Sequence, residues 1–309
     1  MSLAGMLLAG CGAAPGSARL LSNGSAAQPL GSGTQPTLCA RPDGSLVVAF
    51  VGADSGNRKI YWSESSDGKI WGNPRALDSH PFSDQSPRLV VDAQGVLNLY
   101  FASNRDGQNF EIYHSKLVSG AWQAPEEIPG FDGVESLAVV NANGKTLLAA
   151  QQLMVGLTSA VSTDGTHFGT PETVTGPGAD PSLTMLPGGK ALIAYTDDQT
   201  VDVRTCTPGG AWSDATDAAD GADAVRETTL AFTGDRGELI YAERTPDGYV
   251  LRERHFDAEL NFTDADLPVS PDARTPSLAV DHNGKISLAW GMKDNSGQTT
   301  IALTVLGDR

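Results

Sequence analysis

Along the chain, a tight turn followed at once by a short apolar run recurs six times. The copies are Asp43-Gly44-Ser45-Leu46, Gln94-Gly95-Val96-Leu97, Asn143-Gly144-Lys145-Thr146-Leu147, Gly188-Gly189-Lys190-Ala191-Leu192, Arg236-Gly237-Glu238-Leu239 and Asn283-Gly284-Lys285-Ile286. A strand-sized apolar stretch precedes each turn, at Pro36-Thr37-Leu38, Pro87 to Val91, Ser136 to Val140, Pro181-Ser182-Leu183, Thr229 to Phe232 and Pro276 to Val280. A second follows it, from Leu46 to Phe50 in the first copy and from Ile286 to Trp290 in the last, and most of these end near an aromatic. Third strands are legible at Lys59 to Ser63, Glu111 to Ser115 and Thr299 to Thr304. Short apolar runs bounded by Gly, Asn and Asp read as strands and hairpins. After the first dozen residues, no segment keeps apolar positions at helical spacing over three or four turns.

The turn glycines lie 45 to 51 residues apart. A period of this length with strand-like content is that of a propeller, about four strands to a blade. Six copies predict an all-β, six-bladed β-propeller of four-stranded antiparallel blades. The sixth copy ends at Asp308-Arg309 without a fourth strand, while residues near Ala18 to Pro29 are left over at the other end. The N-terminal strand is therefore expected to complete the last blade, removing exposed sheet edges and making 18–309 one domain.

Two copies carry a sharper motif after the third strand. Ser65-Ser66-Asp67-Gly68-Lys69-Ile70-Trp71 and Ser162-Thr163-Asp164-Gly165-Thr166-His167-Phe168 share Ser-x-Asp-Gly-x-x-aromatic, and weaker copies stand at Ser119-Gly120-Ala121-Trp122 and Gly209-Gly210-Ala211-Trp212. Pro74, Pro125 and Pro171 each follow the aromatic by three residues. The pattern resembles the Asp-box, or BNR repeat, of sialidases and related propellers. In that motif Asp accepts backbone N–H bonds, Gly supplies a positive φ and the aromatic tucks between blades. The resemblance implies a structural turn on the face opposite any active site. The second copy also contains Phe101-Ala102-Ser103-Asn104-Arg105-Asp106-Gly107-Gln108-Asn109-Phe110-Glu111-Ile112-Tyr113, which resembles a repeat of TolB-like propellers. That family implies an interaction or scaffold role.

At the N-terminus, Leu8-Ala9-Gly10-Cys11 closes a short apolar run and resembles the bacterial lipobox. This implies lipid on Cys11 and an exported lipoprotein of the cell envelope, with 1–17 as signal remnant and tether. The run is too short to span a bilayer, and the basic residues that open a signal peptide are missing, since the first in the chain is Arg19. Cys39 and Cys206 fall in repeats on opposite sides of the ring, so no bridge between them is expected. The histidines, at 80, 114, 167, 255 and 282, show no ligand spacing; no metal or cofactor is expected. A net charge of −16 with no basic stripe disfavours nucleic acid. A monomer is expected, with membrane contact only through the anchor.

Propeller topology gathers the loops between second and third strands, and those entering the innermost strand, on one rim. Arg58, Arg88, Arg105, Asp180, Arg226 and Arg274 are the expected ligand-binding residues there. Sialidases grip a sugar carboxylate with three arginines, attack with a Tyr paired to Glu, and use an Asp as acid/base. Here Thr34 stands where the first arginine is expected, in Thr34-Gln35-Pro36-Thr37-Leu38. Arg226 and Arg274 are candidate remnants of the triad, and Tyr241, Glu227 and Asp54 are candidate catalytic groups by strand position. Losing one guanidinium anchor costs several kcal/mol of charged-group recognition. The sequence therefore favours a non-catalytic role at the envelope, binding a glycan or an envelope protein. The alternative is a glycoside hydrolase, sialidase-like or of altered specificity, acting at the rim.

Overall fold

A computed structural model describes residues 28–54, 56–107, 109–142, 144–221, 224–265, 267, 272–293 and 298–307. Cys11 and the whole leader lie outside them. No helix among the described residues is long and apolar enough to cross a membrane.

Six antiparallel sheets follow one another around an axis. Their innermost strands are Thr34–Ala40, Asp84–Val91, Val134–Ala142, Ala179–Met185, Val225–Thr233 and Ala273–Val280, one for each blade. Each runs through a tight turn into a buried second strand, such as Leu46–Asp54 in blade 1 or Leu97–Ser103 in blade 2. Third strands such as Asn57–Ser65 and short outer strands such as Arg75–Ala76 complete the blades. In blade 2 the outer edge is shared between Ala121–Trp122 and Glu126–Ile128. The hydrophobic clusters lie between blades: one joins Leu192 and Val203 of blade 4 to Leu239 and Tyr241 of blade 5. Another joins Ile240 of blade 5 to Leu288 and Trp290 of blade 6. Alternate residues of a strand point to opposite faces, so neighbours 240 and 241 serve different interfaces.

The ring closes with a terminal strand, as expected: among the described residues it is Gln28–Ser32, and positions 18–27 of the expected segment lie outside them. It pairs antiparallel with Thr299–Gly307 and becomes the outer strand of blade 6.

The Ser-x-Asp-Gly turns form as the motif implies. Asp67 Oδ1 accepts the N–H groups of Lys69 and Ile70 at 2.8 and 2.9 Å, and Gly68 takes φ +68°. In blade 3, Asp164 Oδ1 accepts from Thr166 and His167, both at 2.8 Å. The Ser65 and Ser162 hydroxyls each accept the Gly N–H at 2.9 Å. The following aromatic reaches back to the preceding blade: Phe168 meets Tyr100 edge-on with ring centroids 6.3 Å apart, and Trp71 packs on the cluster shared with blade 6. The weaker copies do the same, Trp122 against Trp62 and Trp212 Nε1 donating to Ser159 Oγ at 2.9 Å.

Candidate functional site

At the rim end of every innermost strand the ladder shifts register, between Thr34 and Thr37, Gln85 and Arg88, Val134 and Ser136, Ala179 and Ser182, Arg226 and Thr229, and Arg274 and Ser277. In five blades the bulged residue is left-handed although it is not glycine: Gln35, Ser86, Asp180, Glu227 and Thr275 have φ between +50° and +57°. Such a residue costs about 1 kcal/mol or more and persists where its surroundings hold it. Here the neighbouring bulges do so. Gln35 Oε1 accepts the Ser86 N–H, Asp180 Oδ2 the Glu227 N–H, and Glu227 Oε2 the Thr275 N–H, at 3.0, 3.1 and 2.8 Å. The Ser86 hydroxyl donates to the Glu135 carbonyl, and the Asp180 N–H reaches Gln151 Oε1. A belt of side-chain-to-backbone bonds thus links successive blades from the first to the sixth.

This belt redefines two expected site residues. Asp180 and Glu227 are clamps between blades. Glu227 also holds Arg274 through two bonds of 2.6 and 3.2 Å, and the Arg274 guanidinium lies over the Tyr249 ring. Burial raises the Glu227 carboxyl above its usual range, and Arg274 opposes the rise.

Tyr241 does not join Glu227. It is 6% exposed, packed between blades 4 and 5, and burial raises its phenol above the usual range. The charges that act on its hydroxyl are those of Glu243, Arg254, Arg252 and Asp264, toward the outer strands of blade 5. The Asp54 side chain lies outside the described residues.

The other expected rim residues part company. Arg58 is exposed beside Phe110. Arg105 is half-buried and bonded to Asp78, Asp84 and Ser103. Arg226 donates to the Asp198 and Val225 carbonyls. Arg88 is not a rim residue: its side chain lines the narrow axial channel with residues of all six innermost strands. Its position just past the bulge turns it toward the axis, which strand numbering alone does not reveal.

One rim depression holds about 570 Å³ and lies between blades 3, 4 and 5. Glu135, Asp180, Asp197 and Asp198 line it with Gln151, Thr196 and Arg226. Beside it project Leu153, Met154 and Val155, 60%, 97% and 54% exposed. A second depression, of about 290 Å³, opens on the turn face around Asn98, Asn141 and Asp164.

The structure also gathers carboxylates and histidines into clusters. Asp78, His80 and Asp84 share one cluster, and Glu238, Glu253 and His255 another. In the first, Lys59 donates to the His80 and Phe82 carbonyls, and Arg105 pairs with both aspartates. Resident cations therefore compensate its charge, as in a structural network. Its three ligand-type residues lie within seven positions of one another in the sequence, and the fold adds Lys59 of blade 1 and Arg105 of blade 2.

Six four-stranded blades with this strand order define a sialidase-like propeller fold. A protein of unknown function from Dyadobacter fermentans superposes with a TM-score of 0.71 at 16% identity, over 90% of this chain and 95% of that one. The NanB sialidase of Streptococcus pneumoniae, as its K499G mutant, gives 0.66 at 12%, over 91% of this chain and 68% of the enzyme. The Trypanosoma rangeli sialidase bound to the inhibitor DANA gives 0.66 at 12%, over 95% of this chain and 59% of the enzyme. At these identities the likeness is one of fold. No family model and no curated protein matches the sequence.

Proposed function

We propose that this chain is a non-catalytic, sialidase-like binding propeller of the bacterial cell envelope, with Asp-box turns on one face and a ligand-binding rim on the other. The observation that carries the reading is the state of the catalytic candidates: Glu227 is spent on Arg274 and Thr275, and Tyr241 is buried away from it. A nucleophile needs its activating group within hydrogen-bond reach. Freeing Arg274 for a substrate carboxylate would sacrifice a charge-assisted pair of about 1.5–3 kcal/mol. The four carboxylates of the rim depression oppose an anionic sugar and suit a neutral or amine-bearing glycan, or a basic segment of an envelope protein. The exposed Leu153-Met154-Val155 tip supplies apolar contact on the same rim. Lipid on Cys11 would hold the propeller at the membrane.

The test is turnover of fluorogenic glycosides, sialosides included, by the purified chain. No hydrolysis is expected. Hydrolysis that disappears in Glu227→Gln or Tyr241→Phe would establish the alternative, a glycoside hydrolase with rearranged machinery.

A further inference from the structure

Past the bulges, the six innermost strands bring Thr37, Arg88, Ala138, Ser182, Thr229 and Ser277 to the same level of the axial channel. Their equivalence is fixed by register, since they pair with Ala49, Tyr100, Ala149, Ala194, Ile240 and Ala289 of the second strands. The four hydroxyls share one task. Ser277, Thr37, Ser182 and Thr229 accept the backbone N–H of Leu38, Leu89, Leu230 and Leu278 in the next blade, at 3.0, 3.1, 2.9 and 3.1 Å.

Blades 2 and 3 break this pattern together. Arg88 and Ala138 have no side-chain acceptor, so the corresponding amides, of Val139 and Leu183, receive no such oxygen. Both amides belong to the same non-bonded register as their four counterparts, facing away from the second strand. Beside them stands a full positive charge. The Arg88 guanidinium donates to the Pro87 carbonyl at 2.8 Å and pairs with no carboxylate among the described residues. Asp180 supplies the neighbouring negative charge, yet its carboxylate already takes the Glu227 N–H. Burial depresses the Arg88 guanidinium to about 10, with Asp180 opposing the shift, so it remains charged at neutral pH. A guanidinium in a narrow channel whose neighbouring carboxylate forms no ion pair with it and is already engaged elsewhere is costly.

The polar hydrogens around this gap point one way. Each hydroxyl that accepts an N–H retains its own proton to donate. Two amides and a guanidinium add further donors, and the side chains lining the channel include no carboxylate. The channel offers about 90 Å³, enough for a small ion together with water.

We propose that the axial channel is a binding site for a small inorganic anion of chloride size, held by the Arg88 guanidinium and the uncapped Val139 and Leu183 amides. The ion would complete the axis where the hydroxyl series is interrupted, tying blades 2, 3 and 4 together. The proposal is independent of what the rim binds, because it concerns the channel beneath it.

Two measurements test it. Thermal melts of the intact chain in sodium chloride, against sodium gluconate at equal ionic strength, should show a saturable rise in Tm with chloride, because an ion that binds only the folded state stabilises by mass action. Arg88→Met should abolish the chloride dependence, and Ala138→Ser, which gives the Leu183 amide the oxygen its counterparts have, should weaken it. Because Arg88→Met can also perturb folding, wild-type crystals soaked in bromide provide the second readout. An anomalous peak on the axis, within hydrogen-bond distance of Arg88, is the expected result. Melting indifferent to chloride, together with an axis that shows only water after bromide, would overturn the assignment.

Discussion

Asp202 and Asp217 face each other across the third and fourth strands of blade 4. Burial, and then the hydrogen bond and charge of Asp217, raise the Asp202 carboxyl from 3.8 to about 6. The folded protein thus holds a proton that the unfolded chain gives up earlier, so this group's contribution to stability falls as pH rises from about 4 to 6, and the deficit persists above. Removing Asp217 relieves part of it. Asp217→Asn is expected to raise stability by about 0.5–1 kcal/mol at pH 7, the scale of an opposed like-charge pair on a sheet, with the gain fading as the pH falls from about 6 to 4. Thermal melts of both proteins across that range provide the check. The same scale shows what sequence reading reaches: Asp67 and Asp164 were legible because their partners lie within three residues. Glu227 was legible as a charged residue at a blade entrance, but not as a clamp, because its partners Arg274 and Thr275 are 47 and 48 positions away.

Between blades, the aromatic that follows each turn is the recurring contact. Trp71 and Phe168 are half-buried rather than fully enclosed, so the cost of removing them should fall below that of a core aromatic. Phe168→Ala is expected to cost about 2 kcal/mol, against about 3–5 for full burial, and chemical denaturation would measure it; an unchanged midpoint would deny that Phe168 staples blade 3 to Tyr100. At this scale the sequence was most informative. Turn residues and period-two apolar runs are local, and six repetitions of them reinforce one another. The bulges are not legible in the sequence because positive φ at Gln35, Ser86, Asp180, Glu227 and Thr275 has no glycine to mark it. That omission misplaced Arg88, since one extra residue in the strand redirects the side chains that follow.

Over the whole molecule, the ring packs six separate sheets side by side, each with one short outer strand, and gives two unlike faces, the rim and the face of the Ser-x-Asp-Gly turns. Pairing of Gln28–Ser32 with Thr299–Gly307 makes closure depend on both ends of the chain. At the rim, Arg105, Arg226 and Arg274 are engaged internally, while Asp197 and Asp198 are exposed, the charge pattern on which the proposed binding role rests. The measurement that tests this account most directly is binding of the intact chain to an immobilised glycan panel containing sialylated, neutral and amine-bearing sugars, repeated with the Asp197→Asn, Asp198→Asn double variant. Retention of amine-bearing or neutral glycans is expected, with no retention of sialylated ones and at least a tenfold loss of amine binding in the variant, about 1.4 kcal/mol. Selective retention of sialylated glycans, undiminished in the variant, would contradict it.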